Sequence, residues 1–199
     1  GSQTANFDSG TGNNYLGGAF TFSINLGTAS ITGIKVSNNG TAGNLSDVRL
    51  YYDTDGTYSG SESCFNSGGC ADGAGGALGI SISGTLNMTP SNTYYVYVVA
   101  DIANTVAGGK TIDLQITNPS TDVATNVSNT DTVAKDITGL TTVRPNVTSV
   151  TYAITSPLNG ARVGQSGTTI NGTGFGTVCD ANSKVTIASA VISCTYLTF

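Results

Sequence analysis

Asp53-Thr54-Asp55-Gly56 is the first group in the chain with the makings of a chemical site. Two carboxylates two positions apart, followed by glycine, can face one hard cation from a turn. Glu62 and Asp72 stand on the far side of the same glycine-rich stretch. Calcium takes about six to eight oxygens, and loop carbonyls can supply those that Asp53, Asp55, Glu62 and Asp72 do not. No Glu stands where an EF-hand loop begun at Asp53 would need it, so a plain hairpin turn with solvated aspartates is the competing reading. Calcium is the one cofactor for which the sequence offers a place.

The four cysteines fall into two local pairs, Cys64 with Cys70 and Cys179 with Cys194. The chain has no His to share a metal, and the spacing Cys-x5-Cys is poor for zinc. Two disulfides are expected, and with them an oxidising, extracellular location. Asp8, Asp101 and Asp113 have no spacing that argues for a glycosidase pair, so solvated carboxylates are the preferred reading. Tyr51, Tyr52, Tyr58, Tyr94, Tyr95 and Tyr97 read either as a sugar-stacking platform or as a core face backed by an aromatic cross-strand ladder. Asn39, Asn44, Asn87, Asn126, Asn146 and Asn171 each open an N-x-[ST] sequon and are candidate glycosylation sites. Lys35, Lys110, Lys135 and Lys184 offer amines for Lys–Asn isopeptide links, with no spacing that selects one.

These residues stand on a chain of 199 residues that is 10% charged, against roughly 25% in an average soluble protein. Gly, Thr, Ser and Asn fill about half of it: 27 Gly, 31 Thr, 21 Ser and 18 Asn. With no His, triad hydrolysis by Ser-His-Asp or Cys-His is excluded. Seven Lys and Arg against twelve Asp and Glu cannot neutralise a row of phosphates, so no nucleic-acid partner is expected. No apolar run reaches the roughly 18 residues of a membrane span. Apolar residues at helical spacing are missing, whereas period-two alternation is common. Ala19 to Leu26, Ile31 to Val36, Val48 to Tyr52, Ile80 to Ser83, Tyr94 to Ile102 and Thr111 to Ile116 read as strands separated by Gly, Asn and Asp turns. The fold class is therefore all-β: two tandem β-sandwich domains, jelly-roll or Ig-like. The first spans residues 1–140, a linker holding Pro145 spans 141–146, and the second spans 147–199.

In that second segment the strings Ile154-Thr-Ser-Pro-Leu-Asn-Gly160, Val163-Gly164 and Thr168-Thr-Ile-Asn-Gly-Thr-Gly-Phe-Gly176 resemble the opening of an IPT/TIG immunoglobulin-like domain. The resemblance covers about residues 146–199 and implies a structural and binding module without catalytic residues of its own. A full sandwich of this kind runs to about 85–100 residues. The resemblance therefore implies a domain lacking its last strands, either cut from a longer protein or completed by another chain. The first segment, through Val48 to Gly56 and Tyr94 to Ala100, loosely resembles β-sandwich repeats of prokaryotic surface and filament proteins.

The function expected is that of a secreted structural protein, a segment of an extracellular filament, pilus or adhesin stalk. Its partners would be copies of itself, joined head to tail by β-strand complementation. Ser2, Gln3, Thr4, Ala5, Asn6 and Phe7 are the expected donor strand. The alternative is a carbohydrate- or surface-binding module of a larger secreted protein, with surface polysaccharide as partner. An extracellular hydrolase ranks last, because no acid–base pair can be argued.

Overall fold

Strand Thr93–Ile102 is apolar on both faces, and that fixes its place at the centre of a sheet. Tyr94, Val96, Val98, Ala100 and Ile102 point into the core, while Tyr95, Tyr97, Val99 and Asp101 face outward. In this computed structural model, which describes residues 1–43, 45–152, 168–173, 184–187 and 190–193, the protein is all-β, with one four-residue helix, Pro119–Asp122, among the described residues. Leu45–Asp53 pairs antiparallel with one side of Thr93–Ile102, and Ser63–Cys64 continues the sheet beyond it. Asn14–Tyr15 and Phe20–Ser23 lie in line along its other side.

Ser81–Met88 follows the opposite logic. It alternates strictly, with Ile82, Leu86 and Met88 buried and Ser81, Ser83, Thr85 and Asn87 exposed, so one face meets the core and the other meets water. Ala29–Lys35 lies between it and Val123–Thr125. Two short sheets extend the architecture. One orders Lys135–Asp136, Leu114–Ile116 and Ser37–Asn38; the other orders Asn6–Asp8, Thr141–Arg144 and Thr111–Ile112. Their inward residues, including Ile31, Ile34, Leu50, Leu86, Ile112 and Leu114, form one hydrophobic core between the layers of a sandwich.

Thr141–Arg144, expected to begin the linker, is instead the central strand of its sheet. It runs parallel to Asn6–Asp8 and antiparallel to Thr111–Ile112. Thr141 and Val143 are fully buried. Pro145 stops the ladder only after this strand ends, and a four-residue alternation is too short to stand out in sequence. Further on, Asn146–Tyr152 pairs antiparallel with Thr168–Thr173, and Lys184–Ile187 with Ala190–Ser193. The expected pair Cys179 and Cys194, the sequon Asn44 and most of the IPT/TIG-like string lie outside the described residues.

The two layers are joined along one side by residues 63–67. Phe65 N–H donates to Leu50 O at 2.8 Å in the first sheet, and Ser67 N–H donates to Ser83 O at 2.8 Å in the second. The side chain of Asn66 ties the same turn to Val48 and Leu50.

Candidate functional site

On the outer face of the first sheet the expected calcium carboxylates do not converge. Asp53 accepts the Tyr97 hydroxyl at 2.8 Å, and Asp55 accepts the Thr57 N–H at 2.8 Å. Glu62 accepts the N–H groups of Ser59 and Gly60. These bonds outweigh the cost of burial and hold its carboxyl below the ordinary range. Asp72 joins a different group, with Asp47 and Asp101, the only cluster of three or more such ligands among the described residues. At its centre lies a cation the sequence already owns. The Arg49 guanidinium is 1% exposed and lies 3.1 Å from Asp47, 3.1 Å from Asp101 and 3.8 Å from Asp72. It also donates to Asn13.

Asp47 and Arg49, two residues apart, share the outer face, and Asp47, at φ +49°, lies within a register shift between Ser46 and Arg49. Burial alone would raise the Asp47 pKa, but the N–H groups of Gly73 and Gly75 together with Arg49 hold it below the usual value. The cluster is an ionic clamp binding loop 10–13, two central strands and loop 71–76. No motif in the sequence marks it. Its only signal was an arginine between Val48 and Leu50 in a charge-poor chain.

The tyrosines do form a cross-strand aromatic group. Tyr51 lies opposite Tyr97 in the ladder, and Tyr58 folds over both from the loop. Tyr15, absent from the expected set, stacks on Tyr58 with centroids 4.3 Å apart. Tyr97 is 1% exposed, and burial followed by its bond to Asp53 pushes its hydroxyl pKa far up. Tyr94 faces the other way, into the core, as the alternation required.

Cys64 and Cys70 form a disulfide with Cα atoms 5.7 Å apart. Tyr51 donates its hydroxyl to Cys70 O at 3.0 Å, fixing the loop on the sheet. The chain-entropy model assigns so small a loop about 2 kcal/mol. The double substitution Cys64→Ser and Cys70→Ser should therefore lower the unfolding free energy by about 2 kcal/mol in a denaturant titration.

Residues 1–8 run through a slot between the layers. Asn6–Asp8 follows Thr142 to Arg144 in parallel, and Gln3 bridges to Gly139 in the same direction. Gln3 is fully buried. Its amide donates to Leu16 O, Ile112 O and Thr141 Oγ1, and its Oε1 accepts the Leu114 N–H at 2.8 Å. The slot is narrow enough to need glycine walls. A Cβ on Gly139 would lie 2.2 Å from Gln3 O, and one on Gly18 would lie 2.1 Å from Ile137. The expected donor, Ser2 to Phe7, is thus held by its own chain and would have to be withdrawn to serve a neighbour.

A cavity of about 890 Å³ lies between Ala19 to Asn25 on one side and Val123, Thr125 and Ala134 to Asp136 on the other. Phe22, Ile24, Ile31, Met88 and Ile116 give it an apolar floor. Phe20–Ser23, Val123–Thr125 and Lys135–Asp136 each pair on one side only among the described strands, so three sheet edges border this seam. Leu26 (85% exposed) and Val133 (67%) flank the lining residues in sequence.

The remaining polar candidates are dispersed. Asp8 pairs with Arg144 at 3.0 Å, Asp101 with Arg49, and Asp113 accepts from Asn39. Asn39, Asn87 and Asn126 are exposed, Asn146 is half-buried, and Asn171 lies in strand Thr168–Thr173. Lys35 and Lys135 contact Asp122 (3.2 Å) and Asp131 (2.7 Å) rather than asparagines. Asp122 is buried. Burial works to raise its pKa, but the Asn118 N–H and Lys35 overcome it and lower the value. Asp47 and Asp122 thus favour the folded state when ionised. Their contribution is complete above the unfolded aspartate pKa of about 3.9 and is lost as pH falls through the lower folded values. Asp136, raised by burial and by Asp113, acts with the opposite sign. Denaturation midpoints should fall below about pH 4, and Asp122→Asn should flatten that fall.

Compared with known protein families, with characterised proteins and with solved structures, the chain finds no match.

Proposed function

We propose that the protein is a secreted structural element, a segment of an extracellular filament or surface stalk, that joins copies of itself by β-strand complementation. The open seam carries this reading. An apolar trough bordered by unpaired sheet edges is a liability in a solitary molecule and an acceptor in an assembling one. The Cys64–Cys70 disulfide fits an oxidising location. Scarce charge suits close lateral packing, since burying Thr, Ser and Asn needs hydrogen bonds but no ion desolvation.

Electron microscopy of the protein at rising concentration should show polymers. Phe22→Glu, which sets a charge in the trough, should shorten or abolish them while the monomer keeps its β-sheet circular dichroism. Single particles at every concentration would overturn the reading. A second reading, binding of surface polysaccharide, draws on the half-buried Tyr15, Tyr51 and Tyr58 beside Glu62. Tyrosine fluorescence that responds to oligosaccharides and loses the response in Tyr58→Ala would favour it.

A further inference from the structure

The net charge of the chain collects around its tyrosines. Asp53 and Asp55 precede Tyr58 in its loop, and Glu62 follows it. Asp53 accepts from Tyr97. Burial, and after it the Glu62 charge, raises the Tyr15 hydroxyl pKa, so this carboxylate stands within electrostatic reach of that ring. Burial, then Tyr51 and Glu62, act in the same sense at Tyr58, which also feels Arg49 of the neighbouring clamp. The clamp adds Asp47, Asp72 and Asp101. Six acidic residues and one basic residue therefore share this face. The sequence holds twelve and seven, so the six of each kind that stand elsewhere cancel, and the face carries the whole formal charge of −5. The rings themselves are set in advance. Tyr15 donates its hydroxyl to Gly18 O at 2.8 Å, Tyr51 to Cys70 O at 3.0 Å and Tyr97 to Asp53 at 2.8 Å. A platform held in this way loses little freedom when a ligand arrives. Tyr15, Tyr51 and Tyr58 are half-buried, so part of their area still meets water.

Resting on the polysaccharide reading above, we infer that this face takes a glycan whose sugars carry free amines, a polymer of the glucosamine type, in preference to a neutral or uronate-bearing one. The rings make the platform, and the charge selects what lies on it. Ring centroids 4.3 to 6.2 Å apart form a continuous surface that a pyranose face can cover, whereas a lysine side chain would meet one ring at a time. An ammonium group set over a tyrosine face is attracted by the ring quadrupole. The carboxylates beside the rings, Asp53, Asp55 and Glu62, add the opposite charge. The same field turns away carboxylated, sulfated or phosphorylated glycans. Thr57, Ser61 and Ser63, exposed on the Tyr58 loop and its continuation, supply groups that hydrogen-bond sugar hydroxyls.

The chain has no Trp, so its intrinsic fluorescence reports the nine tyrosines alone. Three probes of equal length decide the matter: oligoglucosamine, its N-acetylated form and oligogalacturonate. The titrations are run at mildly acidic pH, where the amines are protonated and Glu62, held below the ordinary carboxylate range, is ionised. Oligoglucosamine should bind at least about tenfold more tightly than the acetylated form, and oligogalacturonate should not bind. The difference should vanish in about 1 M salt, where the screening length shrinks to about 3 Å. Glu62→Gln keeps a side-chain oxygen for the Ser59 and Gly60 N–H groups and should weaken oligoglucosamine binding by about threefold. Equal affinity for the aminated and acetylated forms overturns the inference and leaves the polysaccharide reading standing, as does binding of oligogalacturonate with the affinity of oligoglucosamine. A protein silent towards all three overturns both. Oligolysine that displaces oligoglucosamine at matched charge makes the occupant a basic peptide, and the inference falls.

Discussion

Replacing Arg49 with Met lowers the melting temperature by about 10 °C. The substitution keeps the aliphatic stem and removes the charge, so Asp47 and Asp101 lose their shared counter-ion in a site where Arg49 is 1% exposed. Removing one partner of a buried ionic group costs about 3–5 kcal/mol, because the remaining charges are desolvated without compensation. In a domain of this size each kcal/mol shifts the melting temperature by about 2–4 °C. Adding Asp101→Asn to Arg49→Met should recover part of the loss, since it removes one orphaned charge. A double variant as unstable as the sum of the single changes would show that Arg49 acts through packing alone. Calorimetry of the four proteins measures this directly.

Gln3→Glu is the second large change. It preserves shape and replaces an amide that donates to Leu16, Ile112 and Thr141 with a carboxylate that cannot. The new group is fully buried, so its folded pKa must lie above the ordinary Glu value of about 4.3. The sign follows from linkage. The penalty is complete at neutral pH and shrinks as pH falls through the raised folded value towards 4.3. Gln3→Met, with no titratable group, leaves the Leu114 N–H without its acceptor and costs about 1–3 kcal/mol. That loss has no comparable pH dependence. Equal pH profiles for Gln3→Glu and Gln3→Met would show that the slot admits water.

The strands were legible because their chemistry is local. Alternation in Thr93–Ile102 separates Tyr94 from Tyr95 and Tyr97, and the structure shows that the Tyr94 face is the core. Alternation at Ile80 to Ser83 marked only the start of Ser81–Met88; Gly84 and the polar Thr85 and Asn87 hid the rest. The short spacing of Cys64 and Cys70 in a polar loop gave their disulfide. What stayed hidden depends on partners far away in the chain. Gln3 looks like any polar residue near a terminus until Leu114 and Thr141 surround it. Thr141 to Arg144 looks like linker because its register comes from residues 6–8. Asp53, Asp55, Glu62 and Asp72 suggested a shared cation because they are close in sequence. Turn geometry instead spends three of them on nearby N–H and hydroxyl groups and sends Asp72 to Arg49.

The parallel seating of residues 6–8 on residues 142–144 also governs when the molecule can mature. Residues 6–8 are among the last to find their place, since their docking edge is made more than 130 residues later. Contacts of such long range slow folding, so an emerging chain stays pliant until its distant edge arrives. Fragments ending before residue 141 should leave residues 1–8 as exchange-labile as a free peptide.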